Sequence, residues 1–258
     1  MRLLLAIPLL LVAGPCGAWD TPSHQRITKA ALDTLPERYL SRFGAEAGPL
    51  VEIYCMLPDR YLEMEQYGFV RKSPGPRSAA EIRVYCVRPD GLVMHGVTGG
   101  RDADTGSLVY LLERIVTNLS GDRPGEAARY AGVLAHFIED SLSPPHAVAA
   151  EELAGMIPRS AQAGSMDIHA AIERAMPGFT LGDRTQRTLG AHLTAAAEAI
   201  LDQCLSGAGQ NRRDLPSMVI AACARDEQAL NSYRLRAGVN AAEILADALG
   251  TVMRMSDR

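Results

Sequence analysis

Over most of the chain apolar residues recur at three- and four-residue intervals, the spacing of helices with one face turned inward. Leu108, Leu111, Leu112 and Ile115 form such a stripe within a helix expected over Thr105–Leu119. The run from Arg129 to Leu142 is rich in Ala and Leu, with only Gly132 as a weak interruption, and predicts a second helix that Asp122 would cap. Asp20-Thr21-Pro22 reads as a cap with Pro at a helix start, opening an amphipathic stretch that runs to Leu40. Ala161–Ala175, Arg184–Leu205 (with Asp183 as its cap), Leu215–Asn231 and Ala237–Met255 complete the helical set. Residues 44 to 105 are the least regular part. Pro58-Asp59 falls at a helix end, 71–78 is a polar Pro/Gly loop, and Ile82–Val87 and Leu92–Val97 flank Arg88-Pro89-Asp90-Gly91 as arms of a small hairpin. With no repeat, low-complexity tract or linker, the pattern predicts an all-α, single-domain multi-helix bundle with a β-hairpin insertion around 82–97.

Composition adds little to that picture. The 258 residues suit one large domain or two small ones, 47 % are hydrophobic and 5 % aromatic, and the net charge of -4 does not argue for a partner by itself. A nucleic-acid binder that relies on basic patches would look different, although bound metal would supply positive charge that this count omits.

The first eighteen residues read as a signal peptide: Arg2, an apolar run from Leu3 to Val12, and Cys16-Gly17-Ala18 as a small-residue cleavage site. The run is too short to span a bilayer, and no later segment is long enough. Lipidation at Cys16 is disfavoured by Pro15 before it. The expected product is a secreted protein, extracellular or periplasmic, spanning 19–258 and starting at Trp19. Cleavage would leave Cys55, Cys86, Cys204 and Cys223, an even number that in an exported chain suggests disulfides. Three pairings exist, and sequence proximity favours Cys55–Cys86 and Cys204–Cys223. Asn118-Leu119-Ser120 is a glycosylation sequon, relevant in a eukaryotic source.

Candidate chemistry lies in the histidines. On a helix, His136 and Asp140 are four apart and share a face. Pro144 and Pro145 then end the helix, so the chain can turn and bring His146 back. His169 and Glu173 repeat the four-residue spacing. Two such pairs among six histidines point to a divalent-metal site, with zinc first by ligand type. His24 falls in the first turn after Trp19, near the amine that cleavage would liberate. That amine has an ordinary pKa near 8, and with its own carbonyl it can chelate a metal. His192, mid-helix and without an acidic partner at i+4, reads as structural. Spacing alone does not join Asp59 to His95.

A processed N-terminal Trp, an early His, Pro-Asp, a His, His-x-x-x-Asp, a nearby His after Pro-Pro, and His-x-x-x-Glu occur here in a known order. In this the chain resembles the zinc-dependent phospholipase C and single-strand nuclease superfamily over Trp19–Glu173. The resemblance implies an all-helical fold around a trinuclear zinc cluster. It assigns Asp59, His95, His136 and Asp140 to one ion, and His146, His169 and Glu173 to a second. The Trp19 amine and carbonyl, His24 and a shared Asp140 would hold the third. Glu173 in last place, and no Gly-Gly-Asn stretch after the central block, lean toward the phospholipase branch. The short Trp19–His24 interval is nuclease-like, the Asp59–His95 interval is long for either, and Arg60 stands where choline-preferring members carry an aromatic residue.

The implied activity is phosphodiester hydrolysis by a zinc-bound hydroxide, with Asp59 as the catalytic residue that orients the nucleophile or takes its proton. The expected substrate is a phospholipid, cleaved to diacylglycerol and a phosphorylated head group, with transient membrane-surface contact. The alternatives are a nuclease acting on single-stranded DNA or RNA with the same cluster, and a non-catalytic exported module stapled by zinc. Arg60 would contact phosphate or simply be solvated, and no protein partner is inferable.

Overall fold

The structure, a computed structural model, describes residues 19–61, 85–88, 92–159 and 167–257. The expected signal peptide (1–18), the polar loop 71–78 and most of the hairpin's first arm and turn lie outside the described residues. Within them the protein is all-α. The helices are α1 (Thr21–Leu32), α2 (Glu37–Leu40), α3 (Ala47–Glu52), α4 (Arg101–Ser120), α5 (Pro124–Ser141), α6 (Ala150–Gly155), α7 (Ile168–Glu173), α8 (Leu193–Ala224) and α9 (Glu227–Ser256). Short 3-10 turns at Gly44–Glu46, Tyr54–Met56 and Pro144–Ala147 link some of them. Of the expected hairpin's described residues, Tyr85 and Cys86 are helical and Val87 bridges Val93 antiparallel, and no strand forms among the described residues.

Helix α5 is the axis of the molecule. Every residue from Ala127 to Ser141 is buried. Small residues on several faces let α4, α3, α8, α9, α1 and the 54–56 turn pack around it. Gly132 is one reason the contact is so close: a Cβ there would lie 2.4 Å from the backbone of Tyr54. The main core surrounds α5. A second apolar cluster joins Leu153 of α6, Ile168 and Ile172 of α7, and Leu215, Met218 and Val219 of α8.

Several boundaries differ from expectation. Asp20 caps α1 by accepting from Ser23 N at 3.1 Å, as anticipated, but the helix stops at Leu32 and restarts after Pro36. A proline at 36 has no N–H to give the carbonyl of Leu32 and its ring would crowd that group. Asp122 does not cap α5. It takes φ 52°, and α5 starts instead with Pro124 after Arg123. Leu215–Asn231 is not a separate helix: α8 runs through Pro216 to Ala224, Arg225 turns left-handed (φ 57°), and Asp226 caps α9 by accepting from Ala229 N. The 184–192 stretch is not helical either. Arg184 and Arg187 both pair with the fully buried Asp247 of α9, which straps this segment along the bundle. Helix α8 therefore begins after His192, whose imidazole accepts from Ala195 N, so that residue is a helix cap and not a mid-helix one.

No disulfide joins Cys55 to Cys86 or Cys204 to Cys223. Cys55 lies in the 54–56 turn with Sγ on Val51 O, and Cys204 and Cys223 both stand on α8, nineteen positions apart, too far along one helix to meet. Asn118 is 5 % exposed on α4 and donates to Arg114 O, so the sequon asparagine is packed inward. No helix among the described residues is long and apolar enough to cross a membrane.

Candidate metal centre

Three elements build the deepest part of the site. The cap at Asp20 starts α1 so that His24 faces α5 from the first turn. Its Nδ1 lies 2.5 Å from Glu139 Oε2, while Thr28 Oγ1, one turn on, donates to Glu139 Oε1 at 2.6 Å. Trp19, buried, gives its indole N–H to the Glu139 backbone carbonyl at 3.0 Å. With Nδ1 committed to a carboxylate, His24 presents Nε2 inward, 3.5 Å from Asp140 Oδ1. Both of those atoms are buried, and neither has a hydrogen-bond partner.

His136 stacks on His24, with ring centroids 4.5 Å apart and planes 10° from parallel. Its Nδ1 lies 2.7 Å from the Cys55 carbonyl, which can only accept. In the neutral ring the proton therefore sits on Nδ1, and Nε2 is turned toward Asp140 Oδ2 at 3.1 Å.

Loops complete the middle of the site. Asp59 follows the 54–56 turn, and its Oδ1 lies 3.6 Å from His136 Nε2 and 3.7 Å from His95 Nδ1. His95 Nδ1 is also 3.0 Å from Asp140 Oδ2. The loop carrying His95 reaches α5 through Gly96, where a Cβ would lie 2.7 Å from Ser141 N and 3.0 Å from Asp140 C. Ser141 Oγ then accepts from Val97 N, and the buried Asp104 of α4 accepts from both Thr98 N and Thr98 Oγ1.

The outer part lies across a cleft. Pro144-Pro145 stop α5 and form the 3-10 turn that carries His146, as the sequence suggests. Asp167 caps the short α7, which presents His169 and Glu173. His169 Nδ1 is 2.8 Å from Glu173 Oε2, His146 Nε2 is 3.5 Å from Glu173 Oε1, and Ser143 Oγ donates to that same oxygen at 3.1 Å. Helix α7 is shorter than the Ala161–Ala175 helix expected, and 160–166 lie outside the described residues.

The eight predicted side chains thus gather into three groups of potential ligands: His24, His136 and Asp140; Asp59, His95 and His136; and His146, His169 and Glu173. His136 and Asp140 link the first two. Trp19 arrives at the deep end through its indole. Arg60 turns aside, giving Nη2 to Thr21 Oγ1.

The electrostatics suit cations. Burial alone would lower the pKa of His136, but the charges and hydrogen bonds of Asp140 and Asp59 outweigh it and lift it to about 9. Burial likewise works against ionised Asp140, and the opposing histidines hold it well below the usual carboxylate range. Glu173 is raised to about 8, because burial outweighs the help of His169 and Ser143. His146 is lowered by burial; His169 is raised, since its bond to Glu173 overcomes burial. A buried carboxylate oxygen facing a buried imidazole nitrogen, with no bond between them, is costly without a positive charge nearby. The nitrogen and carboxylate donors are those that zinc and similar divalent ions take. The side chains therefore fit resident metal.

Between the middle and outer groups opens a cleft of about 390 Å³ lined by His95, Asp140, His146 and His169 with Val97, Pro145 and Val148. Sequence reasoning missed Glu139, which orients His24, and Thr28. The available signal was an acidic residue beside Asp140 within an Ala- and Leu-rich run. No family model, curated protein or solved structure matches the chain.

Proposed function

We propose that this protein is a secreted, zinc-dependent phosphodiester hydrolase of the phospholipase C and single-strand nuclease type, with the phospholipase reaction favoured. The observation that carries the reading is the convergence of eight side chains, from α1, α5, α7 and three loops, into three ligand groups beside an accessible cleft. His24 and Asp140, turned toward each other inside the protein with unsatisfied atoms, are its most specific feature.

Three zinc ions would be held by these groups, the Trp19 amine and carbonyl adding to the deep one after cleavage at Ala18. Such ions supply a nucleophilic water near neutral pH and positive charge for the phosphoryl oxygens. The chain's own residues do the rest. The Cys55 carbonyl and Glu139 carboxylate keep the protons of His136 and His24 on Nδ1, so that both rings offer Nε2. Asp59 reaches the middle group from the side, where a carboxylate can hold metal and accept a proton from the attacking water. Ser143 fixes one oxygen of Glu173.

The cleft supports a phospholipid over a nucleic acid. Val97, Pro145, Val148 and Ala150 give it apolar walls, and among its described lining residues there is no arginine, lysine or large aromatic side chain to hold a polynucleotide. Such walls suit a diacylglycerol leaving group, met during brief contact with a membrane surface. The test is hydrolysis of phosphatidylcholine and of single-stranded DNA by the processed protein and by Asp59→Asn. Phospholipid cleavage abolished in the folded variant is expected. DNA cleavage instead would move the protein to the nuclease branch, and neither activity, with zinc bound, would make it a stapled module.

A further inference from the structure

Helix α7 carries two of the outer ligands, yet spans only Ile168–Glu173. A helix that short has no stability of its own in water, and its last carbonyls need partners from elsewhere. They receive them from α9. Arg234 is fully buried, and its guanidinium donates from Nε to Ile172 O at 2.9 Å and from Nη2 to Ala171 O at 2.5 Å. Its Nη1 is held by Glu227 Oε2 and Asn231 Oδ1, each at 2.8 Å, so two groups on α9 fix the fork before it meets α7. One turn further along α9, Gly238 leaves room for Met176, whose sulfur would lie 2.6 Å from a Cβ there.

The carbonyl of Glu173 itself accepts from Asp20 N at 3.4 Å, and Met176 O from Arg26 of α1. The exit from α7 is thus gripped on one side by α9 and on the other by α1. A guanidinium suits this place because its planar fork serves two carbonyls at once, and its charge complements the negative end of the helix.

We infer that Arg234 is a positioning residue for the outer ligand group: by closing the end of α7 it sets where His169 and Glu173 stand. It touches no ligand side chain, and its effect travels through the backbone. The inference rests on the metal reading above.

The test is Zn2+ content of the processed protein, Co2+ absorption spectra, and amide exchange over 168–173, for wild type, Arg234→Met and Arg234→Ala. Arg234→Met keeps most of the volume and loses the donors. It should bind the outer ion about 10- to 100-fold more weakly, the range seen when a ligand loses its supporting partner, and retain the other two. Its outer Co2+ band should change, and exchange should quicken at 168–173 alone. Guanidinium added to Arg234→Ala should restore the outer ion. Three equivalents of unchanged affinity and spectrum in Arg234→Met would overturn this inference alone. Loss of all three ions together with helical signal in both variants would reduce Arg234 to a general structural role and overturn it too. Wild-type protein that takes up no metal would overturn the proposed function, and this inference with it.

Discussion

The deep and outer halves of the site are made of similar residues but held by different means. His24, His136 and Asp140 show no exposed surface, and they stand on α1 and on the helix around which the whole core is packed. His146 and His169 keep side-chain exposures of 23 % and 20 %, and they sit on a 3-10 turn and a six-residue helix backed by the smaller apolar cluster. In the deep half the side chains are placed by the same packing that forms the core. The outer half depends on individual bonds from Ser143 and Arg234. Under the proposed function a substrate would enter beside the outer half, so the more openly built half is where access would be needed.

The largest expected effect comes from Asp140, which links the deep and middle groups. Asp140→Asn should lose metal from both and lower turnover by at least about 10³-fold, or about 4 kcal/mol. Glu173→Gln should lose only the outer ion. Metal counts by elemental analysis beside hydrolysis rates check this contrast; equal losses in the two variants would erase the distinction between halves.

A smaller effect is expected from Glu139→Gln, which keeps the shape but removes the carboxylate charge that faces His24 Nδ1. Affinity for the deep ion should fall by about 10- to 100-fold, read by chelator competition. Gly96→Ala should cost about 1–3 kcal/mol by forcing the His95 loop off α5, seen as a lower melting temperature together with reduced turnover.

Removing metal should expose the charge imbalance. His136, ordinarily near 6.5 and raised to about 9, stabilises the metal-free fold fully below 6.5, and this contribution is lost as pH rises through 9. Glu173, raised from 4.5 to about 8, imposes a cost that grows above 4.5 and is complete beyond 8. Both act in the same direction, while depressed Asp140 is unchanging over this range. Chelated protein should therefore melt at a lower temperature at pH 9 than at pH 7, and added Zn2+ should raise it more at pH 9. Bound metal displaces the His136 proton, so affinity should fall toward acid pH. The smallest effect is a null one: a reductant should leave the melting temperature unchanged, since no disulfide joins the four cysteines.

Much of this site was legible in the sequence because its ligands obey helical spacing. His136 with Asp140 and His169 with Glu173 are pairs that any straight helix brings together, and two prolines mark the turn to His146. The middle group was not legible from spacing, since Asp59 and His95 lie on loops whose approach depends on Gly96 and on Thr98 held by Asp104. Glu139 lies in the same stretch as His136 and Asp140, but its partners on α1, His24 and Thr28, are distant in sequence and no local spacing marks it. In the fold, the helical class followed from periodicity, whereas the ends did not. The helix start expected at Leu215 falls inside α8, which runs through Pro216, and the break comes at Arg225, whose left-handed backbone has no glycine to announce it. The strap at 184–192 has helical composition, but its arginines are drawn instead to buried Asp247.

The proposed function puts three cations where these side chains converge, a placement read out by anomalous scattering at the zinc edge from crystals of the processed protein. Three peaks are expected: one between His24 Nε2 and Asp140 Oδ1, one among Asp59, His95 and His136, and one among His146, His169 and Glu173. Crystals grown with zinc that show no anomalous density at these three positions would contradict it.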